Sequence, residues 1–260
     1  MSGAAQKTEI SELHDAIIVF GDDQKRAGRL DEIGWARLFN KVRKLGEKSE
    51  FSAASLLLQA TMHGIKGDAA QAEKIFDIYS ANHGKTTAWH IIRASMSRII
   101  GTTTPITDML ESGLPYGNLN NLTSTLSSCT DAGFYSTAYK ILLEINKLSS
   151  SVTQKILESQ PYIIPAAIYI NEHNLEETRI SERVLTLTKL VNESSYMLRS
   201  SRVLVNEFGI TYEVIIDDKI EALADFNLML YEELARKFDF PYAQHVSVGV
   251  SPMENRHDSK

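Results

Sequence analysis

A single cysteine, Cys129, stands in a chain of 260 residues. It excludes an intramolecular disulfide and any metal site built on several thiolates. Long apolar runs are missing too. The best of them, Ala16 to Phe20, falls far short of the roughly 20 residues a membrane helix requires. The opening residues have no basic stretch followed by an apolar one, so no secretory leader is expected. Without a leader, the sequons at Asn121-Leu122-Thr123 and Asn192-Glu193-Ser194 read as chance matches, and a reducing, cytoplasmic setting is expected. Gly64 and Gly67 lack the Lys-Ser/Thr that completes a phosphate loop, and there is no Gly-x-Ser-x-Gly elbow. No two histidines have the spacing of a helical metal pair, so neither metal nor cofactor is expected.

What is present is ordinary globular composition: 43% hydrophobic and 23% charged residues, enough to fill a core. The net charge of −6 is concentrated. Between Glu207 and Asp239 nine acids face three bases, Lys219, Arg236 and Lys237, which accounts for the whole imbalance. The rest is neutral on balance, which disfavours a nucleic-acid partner. Lys41, Arg43, Lys44 and Lys48 form one small basic cluster, diluted by Glu47 and Glu50, and read as a solvated helix face.

Helical periodicity dominates up to about residue 195. Leu13, Ile17 and Phe20 form a first stripe, which Gly21-Asp22-Asp23 is expected to interrupt. A second runs through Leu30, Ile33, Trp35, Leu38, Phe39, Val42 and Leu45 to Gly46. From Phe51 the pattern becomes one of paired short helices: 53–63 with 71–80, 86–100 with 105–110, and 119–131 with 135–148. Ala72, Pro105 and Ala138 recur in the second helices at intervals of 33 residues, each followed four residues later by Phe76, Met109 or Leu142. Such a period with two helices per unit is the mark of a helical solenoid. Pro161 and Pro165 predict a break or kink before a further helix over 176–192.

Gly67-Asp68 with Ala72, Phe76 and Tyr79, and Gly133-Phe134 with Ala138, Leu142 and Ile145, resemble the second helix of a tetratricopeptide repeat. Ala60 and His63 stand where that family has a small residue and an aromatic in its first helix, and Trp89 where it has its early tryptophan. The unit around Pro105 lacks the alanine, the other two lack the tryptophan, and none has the closing proline. The resemblance covers about 51–148; another α-α repeat and an irregular bundle are the alternatives. It implies a groove lined by the first helices, with Gln59, His63, His90, Arg93, Asn121 and Ser124 as candidates to hold a protein or peptide.

After residue 200 the period shortens to two. Arg202–Val205 and Ile210–Ile216 flank Asn206-Glu207-Phe208-Gly209 as a β-hairpin, a helix follows from about Asp218 to Phe238, and Val246, Val248 and Val250 mark a third strand. The expected architecture is therefore mainly α: a helical-hairpin repeat over 1–195, a small β-hairpin-α-β unit packed on it over 196–252, and a disordered tail over 253–260.

Two C-terminal features invite a functional reading. Glu213, Asp217 and Lys219 follow the acid-x-Lys pattern of metal-dependent nucleases, where carboxylates hold the cation and the lysine orients water. The competing reading makes Asp218 a helix cap, with Glu221 completing a capping box. The last helix is apolar on two sides, and Phe226, Met229 and Leu230 on the second side suggest a partner or homo-oligomer contact. An interaction or scaffold protein with a protein partner, favouring a basic one, is the leading expectation; a divalent-metal nuclease and an RNA-binding helical repeat are its rivals.

Overall fold

The computed structural model describes residues 2–194, 196, 198, 200–238 and 240–253. The expected disordered tail therefore lies, apart from Met253, outside the described residues. Thirteen α-helices and three strands are present among them. No helix among them is long and apolar enough to cross a membrane.

Helices α1 (Ser2–Ala27) and α2 (Glu32–Leu45) pack on α3 (Ser52–Lys66). The expected interruption at Gly21 does not occur. A Cβ there would lie 3.2 Å from Ile65 Cδ1, so the glycine serves the approach of α1 to α3 and not a turn. Asp22 and Asp23 stay helical, paired one turn on with Lys25 and Arg26. Gly64 likewise stays inside α3, against the sulfur of Met96, and the helix ends at Gly67, which is left-handed at φ 79°. The Trp35 indole donates to the Met62 carbonyl at 2.8 Å and fixes α2 on α3.

Three helix pairs follow. α4 (Ala69–His83) packs on α3. α5 (Thr87–Ser95) packs on α7 (Thr104–Glu111), with the short α6 (Ser97–Ile100) between them. α8 (Leu119–Asp131) packs on α9 (Tyr135–Leu148). Starts are marked by side-chain caps on the first-turn amides: Asp68 for α4, Thr86 for α5 and Asn118 for α8. α3 also touches α5, and α5 touches α8, so the first helices of successive pairs are neighbours. Ala72 and Ala138 are wholly buried, as are Phe76, Met109 and Leu142 to within 2%. Cys129 sits in the same interior, where burial pushes its thiol far above the usual range.

α10 (Ser150–Ser159) ends before Pro161, and α11 (Ile163–Glu172) carries Pro165 in its first turn, where no intrahelical donor is lost. α12 (Glu177–Glu193) then turns back across α6 and the α8–α9 corner. Gly133 makes that corner tight: a Cβ on it would meet Val184 Cγ2 at 3.1 Å.

The C-terminal chain forms β1 (Ser200–Asn206), β2 (Gly209–Ile216), α13 (Ile220–Lys237) and β3 (Val246–Pro252). β1 and β2 form an antiparallel hairpin, and β3 joins β2 in parallel after the α13 crossover, giving the order β1-β2-β3. Ile210, Tyr212, Val214, Ile216, Val246, Val248 and Val250 all face inward, none above 5% exposed. They meet α9, α11, α12 and α13 in one cluster that also holds Tyr135, Tyr169, Val184 and Leu230. Sheet and late helices thus share a core.

Candidate functional site

The six groove candidates occupy three neighbouring helices. On α3, Gln59 donates to Ser55 Oγ at 3.0 Å, within its own helix. His63, one turn on, lies under α2, edge-on to Trp35 and Phe39 at 5.5 and 5.1 Å between centroids. Its Nδ1 is 3.7 Å from Asp68 Oδ2. Burial lowers its pKa, and Asp68 only partly offsets this. On α8, Asn121 is half-buried and Ser124 exposed.

On α5, His90 and Arg93 share a neighbourhood beside Asp108. Arg93 is held by both carboxylate oxygens of Glu73, at 3.0 and 3.1 Å, and by Asp108 at 2.7 Å. Burial alone would lower its pKa, but these two carboxylates more than offset that and raise it. The guanidinium joins α4, α5 and α7, so it is a clamp within the stack, with its fork already filled. His90 has its pKa lowered by burial, against the pull of Asp108.

The nuclease-like triplet is divided between a strand and the turn that follows it. Glu213 Oε2 accepts from Arg202 Nε and Nη2 at 2.9 and 2.8 Å, while Oε1 accepts from Ser251 Oγ at 2.7 Å. The carboxylate therefore ties the three strands together on the outer face of the sheet. Asp217 and Lys219 lie beyond the end of β2. Among the described residues no three His, Cys, Asp or Glu side chains are placed to hold a metal ion. The capping box is corrected as well. Asp218 accepts from Tyr196 Oη and from the Lys219 amide, both at 2.7 Å, and makes no cap on α13, whose first residue comes after Lys219. The Tyr196 hydroxyl, followed by that amide, lowers the Asp218 pKa.

Of the expected partner contacts on α13, Phe226 and Leu230 turn inward, at 7% and 0% exposure, and belong to the sheet core. Met229 alone of the three stays outside, at 45%. Ile220, Leu228 and Tyr231 are the large apolar residues that α13 presents to solvent beside it.

Three features escape sequence reasoning because their parts come from distant segments. A cleft of about 400 Å³ opens between the α6–α7 turn, α12 and the end of α13, with Thr102, Thr103, Arg179, Glu182, Lys237 and Phe238 on its wall. Lys237 Nζ donates there to Thr186 Oγ1 at 2.9 Å. At the joint of α6, α9 and β2, the Arg98 guanidinium reaches Asp131 at 3.5 Å, near the buried phenols of Tyr135 and Tyr212. Arg98 Nε and Tyr135 Oη make no hydrogen bond among the described residues. His173 and His245 approach to 4.9 Å between ring centroids, and Tyr169 Oη lies 2.8 Å from His245 Nδ1.

The fold and these sites define a mainly helical protein closed by a small mixed sheet. Set against protein-family models, curated proteins and solved structures, the chain matches none.

Proposed function

We propose that this is an interaction protein, of tetratricopeptide-like type, that holds a protein or peptide segment against its stacked first helices. The observation that carries the reading is a repeated position. Ala72, Pro105 and Ala138, each 33 residues from the next, are buried in α4, α7 and α9. Small or ring-closed residues there let each second helix lie close to its partner. The neighbouring contacts of α3 with α5, and of α5 with α8, are what a stack of such pairs requires. Of the candidates on that row Ser124 on α8 is exposed, with half-buried Asn121 one turn before it.

The test is affinity capture from an extract of the cells that make the protein. The wild-type chain is compared with an Asn121→Arg, Ser124→Arg double variant whose melting temperature is unchanged. A partner recovered by the first and lost by the second is the expected result. Recovery of no partner at any salt concentration, or of one indifferent to the double change, defeats the proposal.

A further inference from the structure

We propose that the outward face of α13 is a docking surface for a basic amphipathic helix of another protein. The face is distinct from the first-helix row, so its test is independent of that reading.

Helical phase divides α13 cleanly. Leu223, Phe226, Leu230 and Leu234 are buried against the sheet. Ile220, Ala224, Leu228, Tyr231 and Ala235 follow one another at steps of three or four residues and are exposed. Ile220 is 70% exposed, Leu228 61% and Tyr231 52%, an apolar row with no cover among the described residues. Large apolar side chains aligned over about three turns, and not scattered singly, mark a contact surface. Ala224 and Ala235 between them let a second helix axis come close.

Charge decides what that helix is. Glu221, Asp225 and Glu232, all exposed, run along one flank of the apolar row. The basic residues of α13, Arg236 and Lys237, come only in its last turn. In an antiparallel pair of identical helices each flanking row meets its own copy, so a two-fold contact between two α13 helices sets Asp225 against Glu232, while Arg236, which would come opposite Glu221, is already paired with Glu233 of its own helix. A second copy is therefore disfavoured. A helix with an apolar stripe flanked by lysine or arginine is complementary in both respects.

The probes are two synthetic helical peptides with the same leucine stripe, one flanked by lysines and one by glutamates. Each is titrated into the full chain by fluorescence anisotropy, and the chain's mass is measured by sedimentation. The lysine peptide is expected to bind at least about tenfold more tightly, with the preference shrinking at about 0.5 M salt as the charges are screened. Leu228→Glu is expected to weaken it by a similar factor without altering the melting temperature. Combined Glu221→Lys, Asp225→Lys and Glu232→Lys are expected to reverse the preference. Equal binding of the two peptides, binding of neither, or indifference to these changes overturns the proposal. So does a dimer that Leu228→Glu dissolves, which assigns the face to a second copy.

Discussion

The two ends of this molecule are held together differently. Toward the N-terminus the apolar residues divide into small separate clusters, one binding α1 and α2 to α3, the next α3 to α4 and α5. Toward the C-terminus a single large cluster takes in α9, α11, α12, α13 and all three strands. Helices that follow one another in the chain build these clusters from contacts with their immediate neighbours. A three-stranded sheet cannot close a core in that way, and is stable only when helices cover its apolar face. Stability should accordingly be local at one end and collective at the other.

The sharpest way to break the contrast is at Leu230, which is wholly buried under the sheet. Leu230→Ala is expected to cost about 2–5 kcal/mol and to loosen strands and α11–α13 together, read as simultaneous loss of amide protection. Protection lost in α13 alone would refute a shared core. A smaller effect is expected at Arg93, whose side chain is 13% exposed and its partners about a third. Arg93→Ala should cost about 1–2 kcal/mol by chemical denaturation, less than for a fully buried pair because water screens the carboxylates. The loss should be confined to α4, α5 and α7. The smallest effect concerns acid. His63 and His90 have pKa values lowered by burial, beside Asp68 and Lys66 in one case and Asp108, Lys85 and Arg93 in the other. The unfolded chain takes up their protons first. Stability is therefore full above the ordinary imidazole value near 6.5 and falls as pH drops below it. Amide protection factors in α3 and α5, taken relative to the intrinsic exchange rate at each pH, should fall a few-fold between about pH 7 and pH 5.5, with the sheet unaffected. His63→Gln should remove part of that dependence.

Much of this architecture was legible in the residues, for physical reasons that differ by region. Alternation from Ile210 to Ile216 announced a strand because one face of the sheet is buried and the other is not. The recurrence of Ala72 and Ala138 announced close helix packing, because each is wholly buried. Gly21 misled because a glycine can serve close approach as well as a turn, and only the position of Ile65 separates the two. Asp218 misled because its carboxylate is claimed by Tyr196, 22 residues earlier in the chain. For α13 the sequence showed two apolar sides, and only the sheet determines that Phe226 and Leu230 go inside while Ile220 and Leu228 stay out. The cleft by Lys237, the joint around Arg98 and the His173–His245 approach left no local trace at all. Each is assembled from segments that meet only in the finished fold.

One side-chain amide has a wider meaning. Asn227 donates to the Val250 carbonyl at 3.0 Å and accepts from the Val250 amide at 2.9 Å, along the rim of the outermost strand. It does for that residue what a neighbouring strand would do. A sheet margin with free main-chain groups is a template on which other chains can add. Here one residue of that margin is already paired by a group delivered from the crossover helix itself, so the element that completes the sheet also covers part of its β3 edge.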